Sequence, residues 1–158
     1  MVAEAQSDRI HSKALPDLIS KLLGERQAML VLFNELVALK PYMEVSLARP
    51  LLQQFCQLLM DYLALGHFEV YQCLEERGDD RECYRHLRHL ARELYPQLAQ
   101  ITQDSVNFND RYDGEDNCQV LDALGDDLSF LGERLADRIE LEDQLIAATR
   151  AALRKQLE

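Results

Sequence analysis

The stretch "LLQQFCQLLMDYLALGHFEVYQCL", Leu51–Leu74, decides the fold. Its apolar residues recur three and four apart, with Leu52, Cys56, Leu59, Met60, Leu63, Val70, Tyr71 and Leu74 on one stripe. That is the period of an amphipathic helix, not of a strand, and it predicts a helix over about 48–76. His67 falls in the middle of the same stripe, one turn before Tyr71, so the two side chains stack on one face and point inward. Gly66-His67-Phe68 interrupts the pattern with a helix-weakening glycine and a titratable ring, and Gly66 allows a local bend.

The same period runs through the rest of the chain. A first helix over about 17–40 carries Leu18, Ile19, Leu22, Met29, Leu30, Phe33, Leu36 and Val37. Pro16 fits an early helical position, and Pro41 pushes Lys40 off helical geometry. The residues up to about Lys13 form a short extra helix or a loose tail. "RGDD" at 77–80 is a break, with Gly78 suited to a C-terminal cap. A third segment, about 81–112, has its stripe at Tyr84, Leu87, Leu90, Ala91, Leu94, Leu98, Ile101, Phe108 and Tyr112. Pro96 lies opposite that stripe and predicts a kink, or two helices joined near Tyr95. After the turn-forming "YDGEDN", a fourth helix over about 116–152 turns Val120, Leu121, Leu124, Leu128, Leu131, Leu135, Ile139, Leu145 and Ile146 inward. Four long amphipathic helices with short loops predict an all-α, up-down four-helix bundle in one domain of 158 residues.

Composition narrows the function. Hydrophobic residues are 47% and charged residues 28% of the chain, a globular balance. No run of about 18 apolar residues would span a membrane, and the N-terminus has no basic region followed by an apolar core. A cytoplasmic protein is expected. Cys56, Cys73, Cys83 and Cys118 include no CxxC pair, and the expectation is reduced thiols. The net charge of −11 argues against direct nucleic-acid binding, which needs a basic footprint. Asp110 to Asp143 holds 12 Asp and Glu against 3 Arg, a local net of −9. Such a segment is either a solvated face or a surface for a basic partner.

Some polar residues fall where apolar ones belong. Glu142 is in phase with Leu124, Leu128 and Leu135, Arg138 lies one turn earlier, and Arg26 breaks the first stripe. In an up-down bundle the second and fourth helices run parallel across the core, so His67 and Glu142 can meet at one level. This predicts a polar pocket of His67, Tyr71, Glu142, Arg138 and Arg26. It reads either as a structural network that fixes helix register or as a site for a small anionic molecule near Arg138. A sensing bundle or a cryptic enzyme built on the His67/Glu142 pocket is the corresponding alternative function. Metal binding is not expected: no Glu-x-x-His occurs, and Cys83, His86 and His89 at successive threes spread around a helix. No nucleophile elbow and no glycine-rich phosphate loop occurs, so no catalytic residue and no cofactor is assigned. Asp61 and Phe68 lie on the shoulder of the second stripe, as half-buried packing or as the rim and anchor of a partner site.

"FCQLLMDYLALGHFEVY" (Phe55–Tyr71), "LFNELVALKP" (Leu32–Pro41), "YPQLAQIT" (Tyr95–Thr102) and "LGERLADRIELEDQLI" (Leu131–Ile146) together resemble the regulator-of-sigma-D/AlgQ family of bacterial anti-sigma-70 factors. The resemblance runs from about Leu18 to Thr149, and its most specific part is the "DYLxxGHFxxY" core, Asp61–Tyr71. It implies an all-α bundle that regulates transcription by binding the primary sigma factor of RNA polymerase. The contact implied is to the C-terminal domain that reads the −35 element, which lowers the sigma factor's use by the polymerase. AlgQ-type members are linked to alginate and virulence-gene control in pseudomonads. Carried over by position, the motif places Asp61, Leu63, His67, Phe68 and Tyr71 near the partner surface, with Asp61, Leu63 and Phe68 as the expected partner-binding residues; His67 and Tyr71 support them from the pocket that helical phase shares with Arg138 and Glu142. An acidic bundle is a plausible competitor for a basic, DNA-reading domain.

Overall fold

The computed structural model describes residues 2–42, 45–66, 82–113 and 122–157. These form four helices, α1 Val2–Ala38, α2 Val45–Ala64, α3 Glu82–Tyr112 and α4 Leu124–Leu157, and no strand occurs among the described residues.

Cross-helix pairs fix the topology. Phe33 packs on Phe55 while Leu22 reaches Gly66, so α1 and α2 are antiparallel. Lys40 meets Gly125, Phe33 meets Gly132 and Arg26 meets Asp143, so α1 and α4 are antiparallel as well. Tyr112 with Asp127, Asp104 with Arg134 and Thr102 with Arg138 set the same relation between α3 and α4. The result is the up-down four-helix bundle read from the sequence, with α2 and α4 parallel across its diagonal.

Burial drives this arrangement. Each helix turns a stripe inward: Leu15, Leu22, Met29 and Leu36; Phe55, Leu59 and Leu63; Tyr84, Leu87 and Phe108; Leu124, Leu128, Leu131 and Leu135. Each such side chain contributes about 1.5–3 kcal/mol when fully buried. A smaller cluster of Ala91, Leu98 and Leu145 joins α3 to α4 beyond the main core.

Local chemistry sets the helix ends. α1 closes with tightened bonds from the Leu39 amide to the Leu36 carbonyl, 3.1 Å, and from the Lys40 amide to the Val37 carbonyl, 3.2 Å. Pro41 then follows, where a helix cannot continue. α4 has Asp126 and Asp127 in its first turn and Arg154 and Lys155 in its last, matching charge to the helix dipole at both ends.

Several boundaries differ from the sequence expectation. α1 starts at Val2 rather than near residue 17, so the residues before Lys13 continue α1 instead of forming a separate helix or tail. Pro16 is exposed inside that helix, where its ring faces solvent and only the bond to the carbonyl of residue 12 is lost. α3 runs unbroken across Pro96, which is also exposed. α4 begins at Leu124, eight residues later than about 116, and most of that interval lies outside the described residues. α2 ends its regular course at Ala64 and passes into a π-type turn at Leu65–Gly66. The remainder of the expected second helix, 67–76, lies outside the described residues.

Candidate functional site

Arg138 and Glu142 sit one turn apart on the inward face of α4, 0% and 1% exposed. Either charge alone would cost several kcal/mol to bury, so their partners decide whether the arrangement is tolerable. Arg138 Nε donates to Glu142 Oε2 at 3.2 Å, and Arg138 Nη1 donates to Thr102 Oγ1 at 2.7 Å. Thr102 in turn donates to the Leu98 carbonyl at 2.9 Å, so the threonine hydroxyl both accepts and donates. The Tyr62 hydroxyl donates to Glu142 Oε1 from across the bundle diagonal. The Arg138 guanidinium carbon lies 5.2 Å from the centre of the Tyr62 ring, within cation–π range. Arg26 completes the layer from α1, with Nη1 3.7 Å from Glu142 Oε1 and 2.9 Å from Asp143 Oδ1. Burial works against the Arg26 charge, but its hydrogen bond to Asp143 and the surrounding acidic groups outweigh that and raise its pKa. All four helices therefore contribute to one buried polar layer.

Gly66 makes the layer possible. A Cβ at this position would stand 2.8 Å from Arg138 Nη2, 3.6 Å from Glu142 Oε2 and 3.7 Å from Leu22 Cδ1. Only a residue without a side chain lets the guanidinium approach the backbone this closely. The π-type turn lies at the same place, and such irregular turns recur at functional positions.

The residues singled out by sequence fall in different environments. Arg138, Glu142 and Arg26 meet in the layer. His67, Phe68 and Tyr71 lie outside the described residues. Asp61 is exposed on α2 and accepts a hydrogen bond from Gln57 Nε2 at 3.1 Å. Leu63, expected near the partner surface, is 2% exposed and packs in the core. Tyr62 and Thr102 are the members that sequence reasoning missed. Phe55, Leu59, Tyr62 and Gly66 follow one another at spacings of four, three and four, so the sequence did contain this second line along α2.

Most acidic groups of the −9 segment are on the surface. Asp110, Asp126, Glu133, Asp137 and Glu140 are exposed, whereas Glu142 has been drawn inside. His86 and His89 are exposed on α3. Among the described residues no group of three His, Cys, Asp or Glu could hold a metal ion, and no helix is long and apolar enough to cross a membrane.

Residues 1–150 match the family described as "Regulator of RNA polymerase sigma(70) subunit, Rsd/AlgQ". The chain is similar to the "Regulator of sigma D" of Enterobacter sp. (strain 638), 35% identical over 137 residues, 82% of this chain and 78% of that protein. It is similar to the "Regulator of sigma D" of Yersinia enterocolitica, 33% identical over 136 residues, 82% of this chain and 78% of that one. The Salmonella paratyphi B "Regulator of sigma D" is 33% identical over 135 residues, 82% of this chain and 79% of its own length. No solved structure matches the chain. With a family match across nearly its whole length and relatives above 30% identity, the chain belongs to the Rsd/AlgQ family of regulators of the RNA polymerase sigma(70) subunit.

Proposed function

We propose that this protein is an anti-sigma factor that binds the C-terminal, −35-reading domain of the primary sigma factor and so reduces its use by RNA polymerase. The observation that carries this reading is the family match over residues 1–150, which includes the Asp61–Tyr71 motif. The charge distribution supports it. A −35-reading domain must carry a basic surface, and this chain displays an excess of exposed carboxylates. Asp61, exposed at the C-terminal end of α2, and Phe68 are the proposed contacts. His67 and Tyr71 are the proposed supports of that segment, together with Arg138 and Glu142, which are buried on α4. The protein acts in the cytoplasm by occupancy rather than by catalysis, without metal or cofactor and without touching DNA itself.

The small-molecule alternative gains little from the layer as it stands. Glu142 already receives Tyr62 on one oxygen and Arg138 on the other, and Thr102 takes a further Arg138 nitrogen. Titration calorimetry against the isolated C-terminal domain of the primary sigma factor tests the reading directly. Stoichiometric binding is expected, with an association rate that falls as salt rises, because opposite charges steer the encounter. Absence of binding, together with a thermal shift on addition of an anionic metabolite, would favour the sensing bundle instead.

A further inference from the structure

We infer that Tyr62 and Gly66 are positioning residues for partner binding: they couple the buried Arg138–Glu142 pair to the last turn of α2 and thereby set the direction in which Asp61 faces. This inference rests on the sigma-binding reading and assigns two residues which that reading does not use.

The two residues are four apart, so they lie one turn apart on the same inward side. They meet the same buried pair in complementary ways. Tyr62 is tied by its hydroxyl to Glu142 and lies with its ring beneath the Arg138 guanidinium. Gly66 is limited by close approach, since its backbone faces Arg138 Nη2 with no room for a Cβ. One attachment and one steric stop, a turn apart, fix the rotation of this turn about the helix axis. A purely apolar contact would constrain this rotation less, because the hydrophobic effect is non-directional whereas a hydrogen bond has a required geometry. Asp61 precedes Tyr62, about 100° around the helix. If the turn rotates, Asp61 moves with it, and its hydrogen-bond partner among the described residues is Gln57 on its own helix. Asp61 therefore takes its orientation from the helix, and the helix takes its rotation from the layer. Arg138 and Glu142 are themselves held by α3 and α1 through Thr102 and Arg26, so the reference against which α2 is set involves the whole bundle.

A double-mutant cycle on the full-length protein tests this, with the C-terminal domain of the primary sigma factor as the probe and helical signal and denaturation midpoint as fold controls. Tyr62→Phe keeps the ring and removes only the hydroxyl. It is expected to weaken binding about five- to tenfold in the natural protein and less than about twofold when Asp61→Asn is already present, since coupled residues are non-additive. Gly66→Ala is expected to weaken binding in the same way, and Arg138→Lys added to it should restore part of the affinity, because lysine keeps the charge without the Nη2 atom that meets the new Cβ. A residue that merely supports the fold would lower affinity equally in both Asp61 backgrounds. Equal losses in the two backgrounds, unchanged affinity in folded Tyr62→Phe and Gly66→Ala variants, or a neutral Asp61→Asn each overturn the inference while leaving sigma binding intact. A natural protein that does not bind the probe removes the functional reading itself.

Discussion

Two layers of the bundle interior solve the same packing problem with different chemistry. Toward the end of the bundle that holds the α1–α2 connection, Phe33, Phe55, Phe108 and Tyr112 form a chain of rings with centroids 5.8, 6.0 and 4.7 Å apart. Toward the other end, Arg26, Tyr62, Thr102, Arg138 and Glu142 form the polar layer. Each layer has a glycine where a large side chain needs space: Gly132 beneath Phe33, and Gly66 beneath Arg138. The aromatic layer gains from burial and ring contacts, which tolerate small displacements. The polar layer gains only if each donor finds its acceptor, so the same displacement strands a charge. Stability is available from either chemistry, but orientation is specified mainly by the second.

The largest expected effect breaks that contrast most directly. Glu142→Gln changes little in shape, yet it leaves Arg138 buried without its counter-charge and should cost about 3–5 kcal/mol. Phe55→Leu, a comparable change in the ring layer, should cost about 1–2 kcal/mol. Urea unfolding of the two variants measures both. Similar losses would mean that the layers do not differ in how strictly they are specified.

Removing both charges sharpens the comparison. Arg138→Met combined with Glu142→Leu should cost at least about 1–2 kcal/mol less than the two single losses added together. Stability could even approach that of the natural protein, because a buried pair replaced by apolar groups of similar size is often neutral. On the proposed function, the same double variant should bind the sigma domain less well, since it lacks the charged groups that Tyr62 meets. Strict additivity would separate Arg138 from Glu142 energetically, against their 3.2 Å contact.

The sequence disclosed these layers unequally. Arg138 and Glu142 were legible because α4 has a single clean apolar line, on which a charged residue stands out. α2 is apolar on nearly three sides, with Leu51, Leu52, Phe55, Cys56, Leu58, Leu59, Met60, Tyr62, Leu63 and Leu65 in fifteen positions. Periodicity then leaves the helix phase undetermined by a residue either way. That ambiguity hides Tyr62 within the apolar run and does not separate it from its neighbour Leu63, both of which are buried. Helix ends were legible at Pro41, where sterics act locally, and not at Val2. The turns there are polar, and Pro16 carries the same local signal whether a helix starts at it or passes through it. Thr102 gave no sign at all, since its role depends on which helix lies opposite.

The two glycines give a smaller and cleaner comparison. Ala added at either position gains about 0.5–1 kcal/mol from helix propensity. At Gly132 the new methyl meets Phe33 Cζ at 2.9 Å, but that ring is half-buried and can swing outward, so the net change should be near zero. At Gly66 it meets Arg138 Nη2 at 2.8 Å, and a side chain with no exposed surface has nowhere to go. Gly66→Ala should therefore lose about 1–3 kcal/mol. Gly24→Ala, with nothing within 4 Å, serves as the control and should be slightly stabilising. If Gly66→Ala also proved neutral or stabilising, the guanidinium would not be held against the backbone as tightly as its distances imply.

The smallest expected effect concerns pH and belongs to the aromatic layer. Cys56 follows Phe55 and is buried, and burial, helped by the negative charge of Asp113, pushes its thiol from 9.0 up to about 12. Tyr112 is pushed up as well, first by burial and then by its hydrogen bond to Asp127. For a group whose folded pKa lies above its unfolded value, the stabilising contribution is complete below the unfolded pKa and disappears as pH rises toward the folded one. For Cys56 the window runs from pH 9.0 to about 12: the unfolded chain ionises there while the folded chain keeps the neutral thiol. Between pH 8 and pH 10 this thiol alone should remove about 1 kcal/mol of stability. Cys56→Ala will lower stability at every pH by the cavity it leaves, but it should flatten the alkaline slope by that amount. Denaturation midpoints of both proteins at pH 8, 9 and 10 measure the difference. Parallel slopes would mean that the Cys56 thiolate is as accessible in the folded protein as in the unfolded chain, and that the ring layer is less closed than its burial suggests.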